Sequence, residues 1–486
     1  FLKNRDQGVF WYGDDGRKRI DGTFSSYGAG YGSANVLGVA VDMDASPRTI
    51  EFYKDNTSQG SITITGDCAT GTVIPYITSI VQSWINFGQD SSFAGSKSVS
   101  ASAQDANGNG DFFYAPPANH LALCSDNLPD PAIALPEDYF ETVLWTGDGA
   151  DTKAIAASNF VMDFAWIKNR NGDPNNHVLY DRVRGTGMRL VSNATNAEAD
   201  LSSYGNQVEF TAPGINVGST NAGYEEEVNK SGVNYVGWNW KAASSNTSVS
   251  AGSIDGTNPT IACTRRTNTT AGFSIVSYTG QSAAGTVGTG LSSPVELIFL
   301  KNRDQGVFWA GYVEALGNTK SISLNDTGAA YTEKTWNDTS PNSTVFSIGA
   351  QSETSSGRFN VSGEKFIGYC FHSVPNYSKI GVYESNNSVD GPMIYLGFTP
   401  AFILLKCTNA TDNWNIYDNK RNGYNGGTYQ LRADSNAAGF SSSATMVDFV
   451  SNGFKIRTND AGTNGSGRTY LYYAVASNPF KTSNAR

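Results

Sequence analysis

An internal repeat runs through most of this chain. An apolar segment that ends in a lysine occurs three times, at Lys168, Lys301 and Lys406. An aromatic residue precedes each lysine by 23 positions, and an aromatic-rich segment begins 64 to 67 residues after it. The preceding aromatic residues are Trp145, Tyr278 and Tyr383, and the later segments begin at Tyr235, Phe366 and Tyr470. Spacing that is kept over so long a stretch indicates one domain that was copied twice.

The repeat length predicts separate domains in tandem. The second and third lysines are 105 residues apart, which is an ordinary domain length, and 486 residues are too many for a single core. We therefore expect four domains, each with a core of its own. Their predicted bounds are 1–128, 139–243, 261–375 and 377–486. Two linkers are expected, at the proline-marked segment 125–138 and at the Ser-, Thr-, Asn- and Gly-rich segment 244–260.

The composition predicts an all-β protein. The chain has 52 glycines, 24 tyrosines and 25 phenylalanines, and only 16% of its residues are charged. Runs of Thr, Ser, Val, Tyr and Phe that are interrupted by Gly, Asn and Asp are typical of strands and turns. Long segments with helical periodicity are absent. Closely spaced hairpins favour tandem antiparallel β-sandwiches.

Charge and hydropathy exclude two classes of partner. The net charge is −10, and the basic residues are scattered, so a nucleic-acid surface is not expected. No apolar run reaches the 18 or so residues that a membrane-spanning helix needs. The five cysteines lack metal-ligand spacing, and we interpret them as small buried hydrophobic residues in a reducing compartment. They are Cys68, Cys124, Cys263, Cys370 and Cys407.

The first region contains a series of strand-like segments in a distinctive order. Residues 38–44 read GVAVDMD, residues 50–54 read IEFYK, and residues 86–89 read NFGQ. Together with Ser58-Gln59-Gly60, this order resembles the second half of a SPRY domain over residues 20–115. The resemblance implies a concanavalin-like or jelly-roll sandwich of two sheets that binds partners through loops at one end. The strands expected before residue 20 do not all fit into the chain.

An exact duplication lies at the start of the sequence. Residues 1–11 read FLKNRDQGVFW, and residues 299–309 contain the same eleven letters. Because the SPRY resemblance leaves the first strands unfilled, we expect either an N-terminally incomplete SPRY-like domain or a strand at Phe1–Trp11 that takes the place of a missing one.

Residues 139–480 as a whole resemble a repeat found beside SPRY domains in tail-fibre-type proteins of tailed bacteriophages, especially marine ones. The resemblance implies a virion protein that is assembled in the bacterial cytoplasm. It also implies other virion proteins and a host-surface glycan or protein as partners. Fibres of this type form homo-oligomers, and we expect a trimer.

One local motif has the composition of a calcium loop. Asp105, Asn107, Asn109 and Asp111 alternate around Gly108 and Gly110. Oxygen side chains on alternate positions of a tight turn can converge on a hard cation. Pro116 stands where an EF-hand has its glutamate, and an Asx-rich turn between strands needs no metal. Both interpretations, a calcium site and a turn without metal, stay open, and no other cofactor is expected.

The sequence has few groups for catalysis, and we expect no enzyme. His120, His177 and His372 stand alone, and no nucleophile elbow, zinc motif or phosphate loop is present. Candidate acid pairs exist, such as Asp148 with Asp151, and also the run Glu225–Glu227. Glycoside hydrolysis needs two carboxyl groups that face each other across a cleft, which spacing along the chain does not establish.

Aromatic residues offer a second function. Trp238 and Trp240 alternate on a predicted strand, so their side chains lie on one face. They could stack on sugars at a host surface or fill a core, because their counterparts Tyr369 and Phe371 are apolar too. The same two interpretations apply to Trp84, Trp309, Trp336 and Trp414.

These observations favour a structural and binding protein of a phage particle, either a tail fibre or a receptor-binding protein. Two alternatives remain, which are a capsid decoration protein and a polysaccharide depolymerase. Facing carboxyl groups across a groove would support the depolymerase.

Overall fold

The structure is a computed structural model of the chain. It describes residues 8–69, 75–77, 82–155, 160–205, 207–218, 224, 227–252, 259–353, 358–422, 429–441 and 446–482. The chain forms two compact units, Phe1–Pro129 and Asp130–Arg486. No helix in the described part of the chain is long and apolar enough to cross a membrane.

The first unit contains two antiparallel sheets of three strands. They are β1 (Val9–Trp11), β2 (Lys18–Ile20) and β3 (Thr23–Ser25), then β4 (Leu37–Asp42), β5 (Thr49–Lys54) and β6 (Thr57–Thr63). Trp11, Phe52 and Ile62 form a small buried cluster that joins the sheets. The strands predicted at 38–44 and 50–54 are confirmed, and the SPRY resemblance itself stays a prediction.

The strand predicted at residues 84–89 is wrong. The structure gives this segment no strand, because its own side chains bind the backbone that a ladder would use. The Asn86 Oδ1 atom accepts the Gly88 N–H at 2.7 Å, and the Gln89 Oε1 atom accepts the Phe87 N–H at 2.6 Å.

The duplicated eleven-residue sequence adopts two structures. Val9–Trp11 forms β1, in agreement with the expected extra strand, whereas the identical residues 307–309 lie outside any strand. Residues 1–7 lie outside the described residues. Three identical letters thus become strand or loop according to the neighbours that their fold provides.

The second unit contains the three repeats. The first repeat comprises β7 (Phe140–Thr146), β8 (Lys153–Ile155), β9 (Phe164–Asn169), β10 (Val178–Asp181), β11 (Met188–Val191), β12 (Ala199–Asp200), β13 (Val208–Phe210), β14 (Ile215–Val217) and β15 (Asn234–Trp240). The second comprises β16 (Thr247–Val249), β17 (Cys263–Asn268), β18 (Phe273–Thr279), β19 (Gly285–Gly288), β20 (Leu297–Asn302), β21 (Ala310–Val313), β22 (Lys320–Ser321), β23 (Tyr331–Thr332), β24 (Val345–Ile348) and β25 (Lys365–Phe371).

The third repeat comprises β26 (Ser378–Glu384), β27 (Met393–Tyr395), β28 (Phe398–Cys407), β29 (Trp414–Asp418), β30 (Tyr429–Arg432), β31 (Phe440–Ser441), β32 (Val447–Val450), β33 (Gly453–Ile456) and β34 (Thr469–Pro479). It also has two one-turn helices, α1 (Asn419–Asn422) and α2 (Ala461–Asn464). Short 3-10 turns occur in both units, at Gly66–Ala69, Ser125–Asn127, Pro136–Asp138, Ser202–Tyr204, Glu314–Leu316, Lys334–Trp336, Gln351–Glu353 and Phe480–Thr482.

Each repeat has a large sheet of six strands and a small sheet. The large sheets run β12-β11-β10-β9-β15-β7, β16-β17-β18-β25-β20-β21 and β26-β34-β28-β29-β30-β31. All three place the lysine strand beside the closing aromatic strand, which pairs in turn with the opening strand. Lys168 lies opposite Val236, Lys301 opposite Ile367 and Lys406 opposite Leu471. The predicted common register of the three lysine strands is therefore confirmed.

Each repeat has a core of its own, as expected, but the three repeats also share a further core that separate beads would not have. One face of each large sheet does pack within its own repeat. The other face is apolar too, and the three faces pack together into one shared core, which includes Trp166, Phe299 and Leu404. A strand that is buried on both faces needs apolar residues at consecutive positions, as in β9, β20 and β28.

The structure also corrects two linker boundaries and one position in the alignment of the repeats. Residues 247–249, expected in a linker, form β16 and belong to the large sheet of the second repeat. Ile133, expected in the other linker, is buried in the shared core. By its distance from the lysine, Val345 aligns in sequence with Val208 and Val447, which lie 44, 40 and 41 residues after Lys301, Lys168 and Lys406. In the structure β24 pairs with β19 as β14 pairs with β8, so Val345–Ile348 corresponds to Ile215–Val217 instead.

Candidate functional site

The three repeats are joined in a closed ring by their lysines. The Lys301 Nζ atom donates to the Thr195 carbonyl of the first repeat at 3.1 Å. Lys406 donates in the same way to Thr327 of the second repeat at 2.8 Å. Lys168 completes the ring by donating to Asn436 of the third repeat at 3.1 Å. Hereafter "the ring" means this closed arrangement of the second unit.

Burial without a carboxylate contact changes the titration of these lysines. All three are fully buried. Desolvation lowers the pKa of Lys168 and Lys301 to about 7 and also lowers the pKa of Lys406. A neutral amine keeps two of the three N–H donors of the charged form, so each lysine retains hydrogen bonds to carbonyls without its charge.

A second set of contacts follows the same order around the ring. The Trp309 Nε1–H donates to the Val191 carbonyl, and the Trp414 Nε1–H donates to the Ser323 carbonyl, each at 2.8 Å. His177 occupies the corresponding position of the first repeat, and its Nδ1 atom accepts from Trp166 Nε1 at 2.9 Å. Burial holds the pKa of His177 well below its usual value, so this imidazole is neutral.

Two of the three joints also contain a buried ion pair. Asp181 and Arg184 are fully buried, and Asp181 accepts the Tyr369 hydroxyl of the second repeat at 2.8 Å. Asp418 pairs with Arg421 in the third repeat and accepts from Trp238 Nε1 of the first at 3.1 Å. The third joint has Val313 at the matching strand position, opposite Leu297.

The third joint therefore has an apolar residue where the other two have an aspartate. The tyrosine that would meet that aspartate is Tyr473, the counterpart of Tyr369 on β34. Its hydroxyl instead accepts from Trp240 Nε1 at 3.1 Å. This joint has Val313 in place of the aspartate, and the Tyr473 hydroxyl has Trp240 as its partner instead. The buried polar groups therefore stay hydrogen-bonded.

The centre of the ring holds a small apolar cavity. Its walls come from all three repeats, with Phe164, Phe299 and Phe402 among them. Trp166 donates to His177 and Tyr369 donates to Asp181, and neither acceptor lines the cavity. Trp240 donates to the Tyr473 hydroxyl in the cavity wall. A cavity without a free polar group offers nothing to orient a reacting molecule.

The extent of the ring agrees with a known family. Residues 135–479 match the model of a protein family described as "Domain of unknown function (DUF7483)". The chain belongs to this family. No curated protein matches the chain. The DUF7483 match covers all three repeats, so the family's domain corresponds to the closed ring rather than to a single repeat.

Most tryptophans that were candidates for sugar stacking are structural in the DUF7483 domain. Trp238 and Trp240 lie in the shared core, and their predicted position on one face is confirmed. Trp309, Trp336 and Trp414 are also buried. Trp84 differs, because 49% of its surface is exposed in the first unit. The core interpretation therefore holds for five of the six tryptophans considered.

Two of the candidate acids, Asp148 and Glu227, serve the fold. The Asp148 carboxylate accepts from Asn229 Nδ2 and from Lys153 Nζ, each at 3.0 Å. The backbone N–H of Ala150 and these two donors lower the pKa of Asp148 to about 2. A group that stays ionised in this way is unsuited to act as a general acid. Glu227 forms a buried ion pair with Arg189. Glu225 and Glu226 lie outside the described residues.

The histidines and cysteines are mostly enclosed. His177 and His372 are buried, and His120 lies on a loop of the first unit. Cys263, Cys370 and Cys407 are free thiols buried in the ring, in agreement with their interpretation as small hydrophobic residues. Cys124 is half-buried, and the Cys68 side chain lies outside the described residues.

The candidate calcium loop is built around N–H donors. One Asp105 carboxylate oxygen accepts the backbone N–H groups of Asn107 and Asn109, each at 2.9 Å. The other accepts the Ala122 N–H at 2.8 Å and Asn127 Nδ2 at 2.7 Å. Desolvation raises the pKa of Asp105, but the four donors outweigh it and lower the pKa to about 2.

Asp111 accepts from the Ser91 N–H at 3.1 Å, away from this network. No group of three or more His, Cys, Asp or Glu side chains suited to a metal occurs among the described residues. These contacts favour a structural turn, and the calcium site stays a prediction for experiment.

Exposed apolar side chains are concentrated in the first unit. It contains twelve of the twenty-one large hydrophobic residues that are exposed in the described part of the chain, although it is the smaller unit. They are Tyr12, Phe24, Leu37, Val39, Val41, Tyr76, Ile77, Trp84, Ile85, Phe87, Leu121 and Leu123. Where such side chains form a contiguous patch, they mark a site of interaction.

Sequence reasoning missed the joints of the ring. It also missed three polar residues that recur in the repeats, because Asn193, Asn325 and Asp434 lie 24 to 28 residues after their lysines. Their side chains accept the backbone N–H of His177, Trp309 and Trp414 respectively. A repeat alignment that included polar positions would have found these residues, but not the joints, because each of these bonds lies within one repeat.

Proposed function

We propose that this chain is a non-enzymatic structural and binding protein of a tailed-bacteriophage particle, acting as a tail fibre or receptor-binding protein. The observation that carries the proposal is the division of labour between the units. The ring uses its reactive and aromatic side chains internally, whereas the first unit exposes its aromatic and apolar residues.

In this proposal the DUF7483 ring is a rigid support and the first unit is the contact surface. Trp84 and Tyr76 are 49% and 53% exposed, and Phe87 is 42% exposed. Aromatic rings of this kind stack on the apolar face of a sugar or fill a pocket in a protein receptor. The partners are then a host-surface glycan or protein and the neighbouring virion proteins, and the location is the virion.

A homotrimer belongs to the same proposal. The ring already buries the three lysine strands within one chain, so a trimer would use other surfaces. Three copies of a weak contact site raise the effective concentration at a host surface.

Competition for adsorption tests the proposal. Purified full-length chain should reduce adsorption of the phage to its host, and Trp84→Ala should weaken this effect because it removes an exposed aromatic contact. Tyr204→Ala is the matched control, since Tyr204 is an exposed tyrosine of the ring. No competition by the unchanged chain contradicts the receptor-binding proposal.

Two further readouts separate the alternatives. An image of the intact particle that places the chain on the capsid would replace the tail fibre by a decoration protein. Shortening of host polysaccharide by the purified chain would replace binding by depolymerisation.

A further inference from the structure

The second repeat carries an additional hairpin on one flank of its sandwich. β17 pairs along the whole of β18, from Cys263 opposite Tyr278 to Asn268 opposite Phe273. The same segment also reaches the small sheet, because the Ile261 N–H donates to the Thr286 carbonyl at 3.0 Å. This extended segment therefore closes the flank between the two sheets.

Among the residues that the structure describes, no such segment lies at the equivalent flank of the third repeat. β26 corresponds to β18 and is the last strand of its large sheet. β27 is likewise the last strand of the small sheet. The Lys379 Nζ atom on β26 donates to the Tyr395 carbonyl on β27 at 2.8 Å, so the two edges lie side by side. We call these two edges the open flank.

Part of the backbone at the open flank has no partner among the described residues. Ser378 exchanges two hydrogen bonds with Val374 on the outward side of β26, and the Ile380 N–H donates to Ser373 Oγ. Along an antiparallel edge strand, every second residue points its backbone N–H and C=O groups outward. After Ser378 and Ile380, the next residues with outward backbone groups are therefore Val382 and Glu384. No hydrogen bond in the described part of the chain engages these backbone groups.

Apolar side chains are concentrated at the same place. Nine large hydrophobic residues are exposed in the described part of the second unit, and four of them lie within residues 382–395. These are Val382, Val389, Met393 and Tyr395. A free edge beside apolar side chains, without proline on the edge itself, is a template for pairing with another strand.

We propose that the open flank of the third repeat binds an extended strand of a partner protein by strand addition. The occupant is a segment with polar or basic residues between apolar ones, like Ile261–Arg266 in the second repeat. Backbone hydrogen bonds supply the contact, and alternate side chains supply the selectivity. Lys379 on the same strand is bonded to the Tyr395 carbonyl, whereas Glu384 and the net charge of −10 favour a basic segment. The inference does not depend on where the chain lies in a particle.

The chain itself provides the probe. A synthetic peptide of residues 259–268 carrying Cys263→Ser is added at millimolar concentration to the full-length protein, and amide exchange is followed by mass spectrometry. We expect slower exchange in residues 378–396. Val382→Pro should abolish this effect, because it removes an outward N–H while leaving the ladder to β34 in place. A scrambled peptide and the Tyr204→Ala protein are the controls.

Three outcomes decide the matter. Slower exchange that is lost in Val382→Pro supports strand addition, and Met393→Ala with Tyr395→Ala provides a second disruption if the proline variant folds poorly. Unchanged exchange, or equal slowing by the scrambled peptide, overturns the proposal. Exchange that slows with protein concentration alone identifies a second copy as the occupant and overturns the partner strand.

Discussion

The buried lysines of the ring contact backbone carbonyls, which do not compensate a full charge as a carboxylate would. The Lys301 Nζ atom donates to three carbonyls, those of Thr195, Gln305 and Val307. Three carbonyls accept the three hydrogens of the charged ammonium, while desolvation opposes the charge. The neutral amine has two hydrogens, so loss of the proton near neutral pH leaves one of the three carbonyls without this donor.

Replacing Lys301 by methionine should change how stability depends on pH. The unfolded lysine keeps its proton to about pH 10.4, whereas the folded pKa is about 7. Above pH 7 the unfolded state therefore binds more protons, and stability rises with pH by about 1.4 kcal/mol per unit for this lysine. We expect Lys301→Met to lose that slope between pH 7.5 and 9, as measured by urea unfolding.

Lys334→Met is the matched control, because the Lys334 side chain is half-exposed. It should leave the slope unchanged. An equal slope in wild type and Lys301→Met would mean that the buried amine stays charged.

The contacts of Asp105 change the expected effect of its replacement. In a plain surface turn, replacing an aspartate would cost little unfolding free energy. Because its carboxylate accepts four N–H groups, we expect Asp105→Ala to lower the midpoint of urea unfolding clearly. Calorimetry of the chelator-treated protein should show no calcium heat. Saturable binding with stabilisation by calcium would restore the metal site.

An indole N–H is one of the donors that cross the joint between the first and second repeats. The Trp309 indole on the loop before β21 donates to the carbonyl at the end of β11. Phenylalanine fills much of the same space without the donor and leaves the Val191 carbonyl unpaired. We expect Trp309→Phe to cost about 1–3 kcal/mol of unfolding free energy. Trp84→Phe, at an exposed site, should cost almost nothing; equal effects of the two would contradict the role of the joint.

The sequence was sufficient to predict the strands of the repeats and their register, because alternation and spacing report directly on local structure. It was not sufficient for the partner of each apolar face. Trp166 and Ile167 are consecutive and both apolar, and nothing local distinguishes a face that meets its own small sheet from one that meets another repeat. The strand expected at Trp84 failed for a local reason, since Asn86 and Gln89 bind the adjacent backbone.

The joints were beyond prediction for a further reason. Each joins residues far apart in the chain, from 79 positions for Lys406 with Thr327 to 268 positions for Lys168 with Asn436. A repeat pattern predicts that three copies are similar, but it is equally compatible with a row of beads. The way the copies contact one another follows from surfaces that only the folded repeats possess.

A closed ring and a row of beads differ in how they respond to damage in one repeat. Trp238 is fully buried in the shared core, donates to Asp418 of the third repeat, and lies under the Arg421 guanidinium. Truncating it removes contacts from two repeats at once. Trp238→Ala should cost about 3–5 kcal/mol, the range for a large aromatic residue in a core.

If the ring unfolds as one unit, this loss is shared by all three repeats. Amide exchange in β9, β20 and β28 should then accelerate by the same factor, on the order of several hundred, because each 1.4 kcal/mol corresponds to tenfold. Trp84→Ala should leave all three strands unchanged. Independent beads would show acceleration in β9 and the rest of the first repeat alone. Equal acceleration means that no repeat stays protected from exchange once the shared core is weakened. We expect this result because the three lysine strands are buried against one another.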